Sequence, residues 1–186
     1  MDLSQSSHAK ELTDALDAFM RERVEPFEPQ WHEDLRKSDD PWQVHPQISV
    51  LKAQARSAGL WNLFLPDDQL GCGLSNLDYA RMAERMGRSF IAPEIFNCNA
   101  PDTGNMEVLY HFGSEAQKAE WLMPLLDGKI RSAFCMTEPD VASSDATNME
   151  ATAILEGNEV VLQGRKWWST GIGHPDCKLI IFMGLT

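Results

Sequence analysis

The chain has 186 residues, 43% of them hydrophobic, which is enough apolar material to bury the core of one domain or of one and a fraction. Its 28 acidic against 16 basic residues leave a formal charge of -12, and no Lys/Arg cluster overrides that field locally, so the composition argues against a nucleic-acid partner and the acidity reads as solubility. No apolar run approaches the roughly 18 residues that span a bilayer, and the N-terminus lacks signal- or transit-peptide patterning, so a cytoplasmic location is expected.

Leu12, Ala15, Leu16, Phe19 and Met20 form one stripe at helical period, which predicts a helix from about Ser7 to Arg23 that Pro26 and Pro29 stop. The stretch from Gln30 to His45 carries Trp31 and Trp42 among charges, with Asp39-Asp40-Pro41 as a turn signal, and reads as a long connection. A second helix begins at Pro46 and runs through Ile48, Leu51 and Ala55 to a left-handed stop at Gly59. The apolar run from Leu60 to Leu65 ends at Pro66 and reads as a buried extended segment.

Gly71 and Gly73 precede a helix, but neither a third glycine at dinucleotide-binding spacing nor a Lys-Ser/Thr follows, so a tight turn is read rather than a phosphate cradle. That turn delivers Ser75 as an N-cap with Asp78 three residues on, and Tyr79, Met82, Ala83 and Met86 make an inward stripe ending at Gly87. The polar segment from Asn97 to Asn105 either lines a pocket or packs as a loop, before helical spacing resumes at Met106, Leu109 and Tyr110. Ser114 with Gln117 forms a capping box for a helix through Trp121, Leu122 and Leu125, closed by Gly128.

Beyond Lys129 the period changes. Ala151 to Leu155 can pair with Val160 to Leu162 across a Gly157-Asn158 turn, and Lys178 to Met183 is a further strand. The fold class is therefore α+β, with an all-helical domain over residues 1–129 and a partial β domain over 130–186. Cys72, Cys98, Cys135 and Cys177 lack any C-x-x-C pair or zinc-like His spacing and read as reduced, mostly buried thiols, with no metal site expected.

The chemistry concentrates after Ile130. An apolar segment through Met136 opens into Thr137-Glu138-Pro139-Asp140-Val141-Ala142-Ser143-Ser144-Asp145, and a second segment ends in Lys166-Trp167-Trp168-Ser169-Thr170-Gly171. A flavin needs donors where reduction places negative charge, an aromatic wall over its face, and hydroxyls or amides for its pyrophosphate. Backbone N–H groups of Met136 and Thr137 at a strand end, the Ser143 and Ser144 hydroxyls, and a Trp168-Ser169-Thr170 strand would meet those needs. Read from the residues alone, the favoured account is that Thr137 and the serines satisfy turns while Trp167 and Trp168 alternate across a strand, one ring buried and one exposed.

The string A-F-C-M-T-E-P-D-V-A-S-S-D at Ala133 to Asp145, followed by G-R-K-W-W-S-T-G at Gly164 to Gly171, resembles the two flavin-contact segments of the acyl-CoA dehydrogenase family, in order and separation. G-L-W-N-L-F-L-P at Gly59 and F-G-S-E-A-Q-K-A-E-W-L-M-P-L-L-D-G at Phe112 resemble its helical N-terminal domain. The T-E-P-D-V-A-S-S-D form, one residue longer than the common T-E-P-x-x-G-S-D, is most similar to the subgroup of family members 10 and 11, associated with longer or unusual acyl chains.

The resemblance implies a helical N-terminal domain, the beginning of a β-barrel-like middle domain, and an absent C-terminal helical bundle. It implies FAD as cofactor, with Phe134 to Ser144 as the first contact segment, Met136 and Thr137 beside the ring, and Ser143 or Ser144 at the diphosphate. Ser144 would also meet the acyl-CoA. Trp168 would lie against the ring with Ser169 beside it and the Thr170 hydroxyl near N5, although relatives often carry an aliphatic residue at the Ser169 position. The implied reaction is removal of an α proton from an acyl-CoA thioester with hydride transfer to flavin N5, as in fatty-acid β-oxidation, with an electron-transfer flavoprotein accepting the electrons and a homo- or hetero-oligomer as the assembled form. No catalytic residue is assigned, since the family's base lies in the C-terminal domain and Glu138 reads as a turn residue. The alternative is a flavin-binding or interaction subunit that needs a partner for activity.

Overall fold

The structure, a computed structural model, describes residues 4–40 and 42–186. Pro41 of the expected Asp39-Asp40-Pro41 turn lies outside the described residues. The described residues fall into two compact units, one running through Thr103 and the other from Gly104 onward.

The first unit is helical. Helix α1 (Ser7–Phe19) is N-capped by Ser6, whose Oγ accepts from the Ala9 amide at 3.1 Å, and it buries Ala9, Thr13 and Leu16. It continues as a π-helical turn over Met20–Val24 that keeps Met20 and Val24 buried. Helix α2 (Glu28–Lys37) replaces the long connection expected here. Pro29 sits in its first turn, where a missing N–H costs nothing, so the proline that was read as a stop begins a new helix. No residue of α2 is fully buried, which is why apolar periodicity gave no sign of it.

Helix α3 (Pro46–Ser57) buries Ile48, Leu51 and Ala55 and is capped by the His45 ring, whose Nδ1 accepts from the Gln47 amide at 3.1 Å. Gly59 follows at a φ of 71°. The run from Leu60 to Leu65 is buried as expected but is not extended: it winds through turns, with Asn62 at a φ of 55° and its side-chain Oδ1 accepting from Asn97 Nδ2 at 2.7 Å. Helix α4 (Asn76–Met86) starts at the Ser75 cap, which accepts from the Asp78 amide at 3.1 Å. The short helix α5 (Ala92–Ile95) packs on α3, and α1 packs on α4. Phe19 meets Phe96 edge-on, with ring centroids 5.4 Å apart.

Helix α6 (Asp102–Phe112) begins before the helical spacing that announced it. In the second unit the Ser114–Gln117 capping box forms reciprocally and opens α7 (Glu115–Gln117), a π-helical turn (Lys118–Leu122) and α8 (Met123–Leu126) in succession. Strand β1 (Arg131–Cys135) pairs in parallel with β4 (Cys177–Phe182), Phe134 opposite Ile181 and Cys135 opposite Phe182. Strands β2 (Thr152–Glu156) and β3 (Glu159–Gln163) form an antiparallel hairpin around Gly157, whose φ is 65°. Asn105 ties α6 to β1 by donating from Nδ2 to Ser132 Oγ at 2.8 Å and to the Ala133 carbonyl at 3.3 Å. A helical region followed by a short sheet-containing region is thus the observed architecture.

Candidate functional site

The two motif segments meet in the second unit. Strand β1 buries Ala133 and Cys135, leaves Phe134 half-buried, and releases Met136 and Thr137 at its C-terminal end, both half-buried. There the chain is stitched to the second segment: the Trp167 amide donates to the Thr137 carbonyl at 3.0 Å, and Lys166 Nζ donates to the Met136 carbonyl at 2.9 Å. Residues separated by some thirty positions therefore share one site.

The second segment is not the strand that was expected. From Arg165 to Ser169 it is irregular, and the backbone explains why: Gly164 takes a φ of 144° and Trp168 a φ of 53°, neither compatible with an extended ladder. The alternation reading also fails, because both rings are exposed, Trp168 by 79%, with centroids 5.6 Å apart. Ser169 is half-buried and Thr170 exposed, and their segment is turned back toward β4 by hydrogen bonds from the Ile172 amide to the Ser169 carbonyl and from the His174 amide to the Gly171 carbonyl.

The two serines that the sequence leaves interchangeable have different surroundings. Ser143 is 1% exposed, and its Oγ accepts from the Glu138 amide at 2.5 Å, closing the turn from inside. Ser144 is exposed. Beyond them Asp145 caps a short 3-10 turn (Ala146–Asn148), and the Thr147 hydroxyl and then the Thr147 amide hold its carboxyl below the usual range.

Glu138 does more than sit in a turn. Its carboxylate is buried and accepts from Lys166 Nζ at 2.7 Å, from the Glu150 amide at 2.9 Å and from the Ala151 amide at 3.0 Å. The Lys166 hydrogen bond is the main reason that its pKa lies below the usual carboxylate value, with the two amides adding to the effect against the opposing influence of burial. In the sequence Lys166, Ala151 and Gly164 stand only as members of longer stretches, with no role of their own. The only local signal was a lysine among aromatic residues, and its partner lies 28 residues away.

Residues 6–129 match the model of the acyl-CoA dehydrogenase N-terminal domain, and residues 133–186 match that of the acyl-CoA dehydrogenase middle domain. The chain belongs to the acyl-CoA dehydrogenase family. Acyl-CoA dehydrogenase family member 11 of Gallus gallus is 52% identical over 185 residues, covering 98% of this chain and 23% of that protein. Family member 10 of Mus musculus is 50% identical over 186 residues, covering 97% and 17%. This agrees with the subgroup suggested by the T-E-P-D-V-A-S-S-D form. A structure from Mycobacterium abscessus, described as a candidate acyl-CoA dehydrogenase, superposes with a TM-score of 0.92 at 61% identity and covers 98% of this chain and 47% of that one. A glutaryl-CoA dehydrogenase from Mycobacterium smegmatis in complex with FADH2 gives a TM-score of 0.62 at 26% identity, covering 88% and 39%. The chain thus spans less than half the length of each of these relatives. Among its described residues no helix is long and apolar enough to cross a membrane.

Proposed function

We propose that the chain forms a flavin-facing wall of an FAD-dependent enzyme that introduces an α,β double bond into an acyl-CoA thioester. The observation that carries this reading is Trp168. A left-handed backbone costs an ordinary residue about 1–2 kcal/mol, yet here a bulky aromatic residue takes that conformation and turns its ring to solvent beside the Thr137–Trp167 hydrogen bond. Strain and apolar exposure at one residue suit the face of a broad, flat ligand.

The surrounding groups suit an FAD. Phe134, Met136 and Thr137 offer a strand end with amide and hydroxyl donors, Trp168, Ser169 and Thr170 a ring and two hydroxyls, and Ser144 an exposed hydroxyl for the diphosphate and the acyl-CoA. Ser143, whose hydroxyl already accepts the Glu138 amide, supports the turn that presents Ser144. When bound, FAD supplies the acceptor, at N5, for the hydride that leaves the β carbon as a carboxylate removes the α proton. The residues of this chain hold and orient the ring and keep water from one of its sides.

Glu138 is not that carboxylate: it is buried and already accepts three hydrogen bonds. No described residue is assigned as the base. An acyl-CoA substrate, an electron-transfer flavoprotein as electron acceptor, an oligomeric assembly and a cytoplasmic location belong to the same proposal. With the ring covered from one side, these residues alone are expected to hold FAD weakly and to show no turnover.

Titration of FAD against the 186-residue protein tests this by flavin fluorescence. Quenching that saturates, and that weakens in Trp168→Ala, is the expected result; absence of quenching would refute the flavin site. Stable yellow protein after gel filtration that an acyl-CoA bleaches would overturn the expectation of weak retention without turnover.

A further inference from the structure

Two ion pairs connect the same two segments, and they differ in one respect. Arg165 meets Asp140 at 3.2 Å with both side chains about three-quarters exposed, at 73% and 74%. One residue further along the second segment and two residues back along the first, Lys166 meets Glu138 at 2.7 Å with side chains 7% and 5% exposed. An exposed pair of this kind contributes little, because solvent screens it and two long side chains must be ordered to make it. A buried pair is different in kind, since each charge is tolerated in the interior only because the other and several hydrogen-bond partners are there.

The inner pair has those partners, and each belongs to a different part of the site. Lys166 Nζ bonds to the Met136 carbonyl and lies 5.0 Å from the centre of the Phe182 ring on β4. The Glu138 carboxylate holds the Glu150 and Ala151 amides at the entry to the β2–β3 hairpin. Gly164, where that hairpin leaves for the second segment, lies so close to Ala151 that an added methyl group would come within 2.5 Å of the Ala151 Cβ. The end of β1, the start of β2, the Phe182 ring of β4 and the approach to Trp168 therefore converge on one carboxylate and one ammonium, and Gly164 at the end of β3 packs against Ala151 beside them.

We propose that the Glu138–Lys166 pair is a positioning latch, which fixes the Met136–Thr137 strand end against the Trp167–Trp168 segment and so sets the gap that a flavin enters. This rests on the flavin reading above but concerns residues that do not themselves touch the ring. Buried ionic groups are a poor source of stability compared with apolar packing but a good source of register, because a shifted segment would strand a charge. Here the register in question is that of Trp167, whose amide donates to the Thr137 carbonyl one residue before the left-handed backbone of Trp168.

The test uses Lys166→Met, Glu138→Gln, the double variant, and Arg165→Ala as the control for the exposed pair, with two readouts. Hydrogen exchange of the Trp167 amide reports the latch directly and needs no ligand. FAD affinity by flavin quenching, measured where circular dichroism shows each variant folded, reports its consequence. Lys166→Met and the double variant are expected to speed Trp167 exchange and weaken FAD binding by about tenfold or more, the worth of a charged hydrogen bond, while Arg165→Ala shifts both by less than about twofold.

The double variant leaves no uncompensated charge, so it should regain the thermal midpoint that Lys166→Met loses without regaining FAD affinity. It also carries the test where Lys166→Met does not fold. Unchanged Trp167 exchange in the double variant, or recovery of affinity together with stability, would overturn the latch. Wild-type protein that quenches no flavin would instead defeat the function reading, and the exchange rates would still decide the latch.

Discussion

Ser143→Ala and Ser144→Ala should have opposite effects, although the two residues are adjacent. In Ser143→Ala the Glu138 amide loses its acceptor inside a turn where Ser143 is 1% exposed and water has no ready access. An unsatisfied buried N–H costs about 1–3 kcal/mol, and for a chain of this length each kcal/mol moves the thermal midpoint by about 2–4 °C. A drop of about 4–8 °C is the central expectation, seen in a thermal melt followed by circular dichroism. Ser144 is exposed, so Ser144→Ala should stay within about 0.5 kcal/mol of wild type in stability. It should weaken FAD instead, by about tenfold, if its hydroxyl reaches the diphosphate. Flavin quenching at 20 °C, where about 2 kcal/mol leaves the protein folded, separates the two effects. Equal losses of stability in both variants would refute the burial argument, and loss of FAD affinity in Ser143→Ala without loss of stability would move the ligand contact to Ser143.

Other outcomes follow from the packing around single residues. Gly164→Ala must fit a methyl group against the Ala151 Cβ and its backbone at a φ of 144°, so it should lose about 1–3 kcal/mol in urea unfolding, whereas Gly157→Ala has open space and should lose only the left-handed cost of about 1–2 kcal/mol. Burial pushes the Cys98 thiol up to about 12, so iodoacetamide at pH 8 should leave it unmodified in folded protein and label it in urea, as read by mass spectrometry. Its folded value lies above the unfolded one, so the native state holds that proton longer and stability should fall as the pH rises from about 9 toward 12. Glu138 has the opposite sign. Its folded value lies below the unfolded one, so its contribution is fully present above the ordinary carboxylate range and is lost as the pH falls through the depressed folded value. Urea midpoints between pH 7 and pH 3 should fall less steeply in Glu138→Gln than in wild type.

Much of the fold is legible in short-range chemistry. The Ser75 and Ser114 caps, the Gly59 and Gly128 stops, and the Gly157 hairpin are each specified by residues within about four positions of one another, and each forms as its spacing predicts. Helix α2 escaped notice because helix prediction leans on an apolar stripe and α2 buries no residue, while Pro29, read as a stop, serves as a start. The run from Leu60 to Leu65 was read correctly for burial and wrongly for conformation, since periodicity cannot distinguish a buried strand from a buried chain of turns held by Asn62 and Asn97.

The sequence by itself determined which family the chain belongs to, because the two motif strings carry that information in their residue types and separation. It could not determine which serine is buried, that the second segment leaves the sheet at Gly164, or that Glu138 and Lys166 find each other. Those outcomes depend on contacts across 5 to 28 residues, where what selects the partner is the cost of burying a charge or an amide without one. That cost exists only once the tertiary fold has removed the water, so only the tertiary structure could decide them.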